Sequence, residues 1–176
     1  MLVKIGPGMK SDDVVDLLLA CHERIRSFTA LARAAGDRSD VSASEVADAC
    51  SRVERYFTEA LPLHVRDEED SLFPRLHGLS PEVDEALLAM KEQHAAHEEV
   101  LGVLLRVLSE VRRNPSGVEL RAELALAAER LDRAFAEHLV LEETVIFPAV
   151  RQFVAPAAQA AMKDELRARR GPKTFT

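Results

Sequence analysis

Two stretches of the chain, HVRDEEDSLFP at 64–74 and HLVLEETVIFP at 138–148, carry His, Glu, Glu, Phe and Pro at the same five of eleven places. In each, the His and the first Glu are four residues apart, which puts them on one face of a helix, one turn from each other. A chain that writes such a pair twice on separate helices can bring two imidazoles and two carboxylates to one place.

Composition limits what that place can be. The chain has 176 residues, of which 47% are hydrophobic, enough for one core but little more. Its 23 Lys and Arg against 30 Asp and Glu give a net charge of -7, which disfavours nucleic acid or an anionic membrane as a partner. The opening MLVKIGPGMKSDD has neither a long apolar run nor a small-residue cleavage site, and no segment reaches spanning length, so a cytoplasmic location is expected. Cys21 and Cys50 read as small apolar fillers inside helical patterns.

Ala, Leu, Glu and Arg dominate, Gly is scarce and period-two alternation is missing, so the reading is all-α. Ser11, with Asp12 and Asp13 behind it, predicts a cap and acidic first turn for a helix ending near Ala35, where Gly36 fits a stop. Ser42 or Ser44 opens a second helix, kinked at Pro62, which ends near Gly78. Ser80 with Pro81 starts a third that runs to Arg113, before the break at Asn114, Pro115, Ser116 and Gly117. A fourth spans roughly 118–150. Short connections between four long helices predict an antiparallel up-down-up-down four-helix bundle over 1–152, with a short additional C-terminal helix and basic tail over 153–176.

The inner stripes of these helices are interrupted by polar residues. On the third helix Val83, Leu87, Met90, His94, His97, Leu101, Leu104 and Leu108 alternate steps of four and three, the seam of a bundled helix. The fourth helix places His138 and Glu142 on its seam, the second His64 and Glu68, and the first His22. A buried unpaired carboxylate costs several kcal/mol, and two among four or five imidazoles multiply the difficulty. A buried cation resolves it. Four imidazoles, together with Glu68 and Glu142 each bridging two ions, supply about eight bonds to a pair of ions, and a bridging oxide or hydroxide leaves each near five-coordinate. A single structural zinc needs four ligands and would leave donors idle. Mixed nitrogen and oxygen ligation with open positions suits iron, with manganese or a zinc-containing pair as alternatives.

These residues resemble the hemerythrin-like HHE cation-binding domain family: a lone His22; His64, Glu68, Glu69, Phe73 and Pro74; His94 within a Gln-His pair; then His138, Glu142, Glu143, Phe147 and Pro148. The resemblance covers roughly residues 10–152. It implies a non-haem di-iron centre with an oxo or hydroxo bridge and both carboxylates bridging, and it differs from ferritin-like bundles, whose motif is Glu-x-x-His. His-rich ligation points toward binding dioxygen, nitric oxide or peroxide. In the oxygen carriers of the family a further His follows the third-helix His by four residues; here Glu98 stands there, and His97 lies on the seam beside it. Either is a candidate seventh ligand, Glu98 by register and His97 by its inward position. Whether the chain is an enzyme is left open.

Other polar groups have plainer expectations. Glu69 and Glu143 are expected to be solvated or paired with Arg, ahead of a role behind the metal ligands. Phe73 and Phe147 are expected to pack away from the metal, His77 to satisfy terminal carbonyls, and Tyr56 to stand too far from His64 for ligation. Three functions follow: a di-iron protein that binds or senses dioxygen, nitric oxide or peroxide; a di-iron enzyme that decomposes peroxide or repairs iron-sulfur clusters; and a metal-free helical interaction module. A protein partner is unknown from sequence.

Overall fold

The computed structural model describes residues 13–171. Five helices account for nearly all of them, and no strand occurs among the described residues. Helix α1 is Val14–Asp37; α2 runs over 43–76, α3 is Pro81–Arg113, α4 runs over 118–153, and α5 is Pro156–Arg169. Each of the first four packs on two neighbours, α1 on α2 and α4, and α3 on the same two, which closes the antiparallel ring.

Capping fixes where these helices begin. Asp13 accepts the Asp16 amide at 2.8 Å while the Asp16 carboxylate accepts the Asp13 amide at 3.3 Å, so the cap of α1 is Asp13. The expected cap, Ser11, and Asp12 of the expected acidic first turn lie outside the described residues, as do the last five of the basic tail. Ser42 and Glu45 form the same reciprocal box on α2, and the Ser80 hydroxyl accepts the Val83 amide ahead of Pro81. Gly78, at φ 84°, ends the α2 segment in the left-handed region, and its amide donates to Asp84 at 2.7 Å.

Gly36 does not stop α1. It sits inside the helix, which ends one residue later, and a Cβ on it would lie 2.7 Å from the Ala125 nitrogen and the Arg121 carbonyl oxygen. The residue is Gly because two helix backbones cross there, a constraint set by packing and invisible in the local pattern.

Helices α2 and α4 are not uniform. Each widens into π turns, at Tyr56–Ala60 and Asp67–Leu72 in α2 and at Glu142–Ile146 in α4. Every one is followed by an X-Pro pair: Leu61-Pro62, Phe73-Pro74 and Phe147-Pro148. The amide of X bonds back five residues, Leu61 to Tyr56, Phe73 to Glu68 and Phe147 to Glu142. Proline has no N–H and its ring crowds the carbonyl four residues back, and the wider turn relieves both. The disturbance expected at Pro62 therefore takes the form of a π turn, and it recurs at both repeats. Two of the three π turns begin at or beside Glu68 and Glu142.

The core is split in two. One apolar cluster includes Ile25, Phe57, Leu61, Leu104, Leu131, Phe135 and Leu139; the other includes Leu18, Leu72, Leu87, Met90, Ile146 and Phe147. On α1 His22 falls between Leu18 and Ile25, on α2 His64 and Glu68 between Leu61 and Leu72, on α3 His94 between Met90 and Leu104, and on α4 Glu142 between Leu139 and Ile146. A single polar layer thus crosses the bundle with apolar packing above and below it. Met162 and Leu166 of α5 join the second cluster. No described helix is long and apolar enough to cross a membrane.

Candidate metal centre

Six side chains meet in the polar layer as two overlapping groups. His22, His64, Glu68 and Glu142 form one; Glu68, His94, His138 and Glu142 form the other, with the donor atoms of each group within 4.8 Å of one another. Both carboxylates belong to both groups. Glu68 and Glu142 have no exposed surface, and His22, His64 and His138 are equally enclosed, with His94 half-buried.

The atoms that face each other are close: His22 Nε2 to Glu142 Oε2 at 2.9 Å, His64 Nε2 to Glu68 Oε1 at 3.1 Å, His94 Nε2 to Glu68 Oε2 at 3.3 Å, and His138 Nε2 to Glu142 Oε1 at 3.3 Å. Most of them nevertheless lack hydrogen-bond geometry. His22 Nε2, His64 Nε2, His94 Nε2 and all four oxygens of Glu68 and Glu142 are buried without a hydrogen-bond partner. Buried polar groups are paired in the great majority of cases, so seven orphans in one layer single it out. The donor set, imidazole nitrogens around shared carboxylates, fits a pair of cations.

Three of the other ring nitrogens are held from behind, while His64 Nδ1 is buried without a hydrogen-bond partner. His22 Nδ1 lies 2.7 Å from Glu143, which also accepts Arg26 at 2.7 Å, and His94 Nδ1 lies 2.9 Å from Glu69. Once each ring is neutral, a proton kept on Nδ1 and donated to the acid leaves the Nε2 lone pair facing the layer. His138 Nδ1 lies 3.0 Å from the Gln93 side-chain oxygen. The expectation that Glu69 and Glu143 would be solvated or Arg-paired is therefore corrected: Arg26 is a partner of Glu143, but each Glu also fixes the lone His of a neighbouring helix. The repeat writes two consecutive glutamates because the first faces the layer and the second orients an imidazole across the helix interface. Recurrence of that second Glu was the available signal.

Titration follows from these contacts. Burial pulls the His22 pKa down, but Glu142 and Glu68 outweigh it and push it up to about 10; Glu68 and Glu69 do the same for His94, to about 9. Burial, reinforced by neighbouring imidazoles, lowers His64 to about 4 and His138 to about 3. Burial also raises both central carboxyls, yet the imidazoles around Glu68 hold it well below the usual range, whereas burial and the Glu68 charge together leave Glu142 well above it. Protons and cations would therefore compete for the same nitrogens and oxygens of the layer.

His97 and Glu98 are not in either group. His97 is 8% exposed; its Nε2 donates to the Ala134 carbonyl at 3.0 Å, and its Nδ1 is buried without a hydrogen-bond partner. Glu98 is exposed. Both line a cleft of about 400 Å3 that reaches His64, His94 and His138 between apolar walls of Phe57, Leu61, Leu101 and Phe135. Phe147, expected to pack away from the layer, has its ring 4.9 Å from that of His22, because the π turn advances its position round the helix. His77 pairs with the Asp84 carboxylate at 3.1 Å in place of a terminal carbonyl. The Tyr56 hydroxyl donates to the Cys21 carbonyl at 3.3 Å, and both cysteines are free and buried.

A closed helical ring crossed by one layer of shared acids and inward-facing imidazoles defines a four-helix cation-binding protein. The chain belongs to the hemerythrin HHE cation binding domain family, which it matches over residues 13–150 and again over 89–169. It is also similar to an uncharacterized protein of Haemophilus influenzae, 26% identical over 167 residues and covering 92% of each chain.

Proposed function

We propose that the chain is a cytoplasmic non-haem di-iron protein that binds or senses dioxygen, nitric oxide or peroxide. In this reading His22 and His64 would hold one ion and His94 and His138 the other, with Glu68 and Glu142 available to both. The observation that carries it is the set of seven orphaned donor atoms in the two groups that share both carboxylates. Iron suits that nitrogen and oxygen set better than zinc, which favours a closed tetrahedron, and manganese is the lesser alternative. Bound there, the ions supply Lewis acidity and a change of redox state.

The chain's own residues do the rest. Glu143 and Glu69 hold the His22 and His94 rings in one tautomer. The two apolar clusters shield the layer from bulk water, and the cleft beside His94 and His138 gives a small ligand a way in. His97 and Glu98, standing along that cleft, act on the entering ligand or complete the second ion's ligation.

A second reading, peroxide turnover, draws on the size of the cleft. About 400 Å3 is far more than a diatomic molecule needs, given roughly 30 Å3 for a water, and leaves room for an organic peroxide. Metal analysis of freshly purified protein, with visible spectra before and after dioxygen, nitric oxide, hydrogen peroxide and cumene hydroperoxide, tests both. Two irons per chain and a reversible spectral change on gas addition support the first reading; sustained consumption of either peroxide, lost in His64→Ala, supports the second. A chain that takes up no metal and keeps its full stability in chelator overturns both in favour of a metal-free interaction module.

A further inference from the structure

The residue before Glu68 and the residue before His22 are joined by the C-terminal helix. Asp67, with no exposed surface, begins the π turn that carries Glu68. Its two oxygens are taken by two consecutive arginines that close α5: Arg169 Nη1 donates to Oδ1 at 2.9 Å and Arg170 Nη2 to Oδ2 at 2.6 Å. Arg169 also donates to the Ser71 hydroxyl at 2.6 Å, and Ser71, equally buried, donates to Glu165 at 2.6 Å. Arg75, one turn on, donates to Glu165 at 2.7 Å. Asp67 and Ser71 therefore flank Glu68 on its π turn, and both are held by α5. Arg170 Nη2 further lies 3.9 Å from the Cys21 sulfur, next to His22 on α1.

A π turn has wider, weaker hydrogen bonding than an α-helical turn, so the direction of its side chains depends on outside support. A buried carboxylate held by two charged donors is such support, because breaking one partner strands a charge in the interior. No other cation meets Asp67 in the described residues, so the support comes from α5.

We propose that α5 is a strap that sets Glu68 and thereby the affinity of the metal centre, with Asp67, Arg169 and Arg170 as positioning residues. The inference rests on the metal-centre reading and deepens it: the two-ion site is complete only while the end of α5 is seated. Reciprocally, cation binding tightens α5, since whatever fixes the π turn from within favours the seated helix from without. A partner or modification that unseats α5 releases metal.

Cobalt(II) chloride is the probe, titrated into metal-free full-length protein and followed by visible absorption and equilibrium dialysis. Asp67→Asn and the double variant Arg169→Gln with Arg170→Gln are expected to lose about 10- to 100-fold in affinity, the range for support behind a metal ligand. Arg169→Lys with Arg170→Lys, which keeps both charges, restores most of it. Arg167→Gln, which removes one positive charge from a side chain that pairs with Asp164 at 3.9 Å among the described residues, is the control and binds as the parent does. Hydrogen exchange of the unaltered protein gives a measure independent of variant folding: cobalt(II) slows exchange across 156–169 as well as 67–72. Parent protein that binds no cobalt overturns the metal centre itself. Parent protein that binds it, with variants of equal affinity or with α5 exchange unmoved by the ion, overturns the strap alone.

Discussion

Glu142→Gln separates the two demands placed on the polar layer. Burial and the adjacent Glu68 push the Glu142 pKa well above the usual carboxylate range, which favours its protonated form in metal-free protein. A folded pKa above the unfolded one contributes stability that is complete below 4.5 and lost as the pH rises toward the raised folded value. Each pH unit inside that window costs about 1.4 kcal/mol for a group titrating alone. The surrounding imidazoles share the proton, and the scale of the gain is the ~1–4 kcal/mol seen when buried ion pairs give way to well-packed apolar residues of like volume. Glutamine has the shape of the protonated acid and does not ionise. In chelator the variant should match the parent at about pH 5 and exceed it by about 1–4 kcal/mol at about pH 8, or roughly 2–4 °C in Tm for each kcal/mol. With ferrous iron the order reverses, because one of the two shared donors is gone and the ion no longer stabilises the fold. Urea unfolding followed by helical circular dichroism, in chelator and in anaerobic iron, measures both arms. A variant that is weaker than the parent in chelator at both pH values, or that still holds two ions tightly, refutes the assignment of Glu142 as a bridge.

Glu143→Gln and Glu69→Gln should each lower metal affinity about 10- to 100-fold while leaving the helical spectrum unchanged; equal affinity by dialysis would show that His22 and His94 need no acid behind them. Raised pKa values of about 10 for His22 and about 9 for His94 mean that their stabilising contribution in metal-free protein is complete below 6.5 and lost toward those values. Cation affinity should accordingly climb with pH across the neutral range, and titration in weak buffer should show proton release on binding. His64, lowered to about 4, contributes stability that is complete above 6.5 and lost as the pH falls through about 4, so acid unfolding of the metal-free chain should be softened in His64→Gln. Gly36→Ala should destabilise despite a gain of about 0.8–1.0 kcal/mol in helix propensity, because its Cβ would meet the α4 backbone at 2.7 Å and overpacking costs about 1–3 kcal/mol. A higher urea midpoint for that variant would sink the packing explanation.

Much of this was legible in the linear chain. Helical periodicity, caps at Ser42 and Ser80 and the stop at Gly78 fixed the order and extent of the helices, and hydrophobic seams broken by His22, His64, His94 and His138 located the polar layer. These signals are local: a helix face is defined by residues three and four apart, so its contents can be counted before any packing is known. Gly36 shows the other kind of case, since its reason lies in Ala125 and Arg121, nearly ninety residues away. The π turns belong there too. Each proline announced a disturbance, but whether the backbone bends or widens depends on what surrounds it.

The sequence by itself determined that imidazoles and acids occupy the inner faces of four helices, and that burying them together demands cations. Tertiary structure alone decided their partition: which histidines share an ion's worth of space, that Glu69 and Glu143 stand behind His94 and His22, that His97 turns to the Ala134 carbonyl, and that α5 grips Asp67. The physical reason is one of range. Periodicity selects a face through neighbours on the same helix, whereas a side chain's partner across an interface is set by the rotation, offset and crossing of helices that non-local contacts fix jointly.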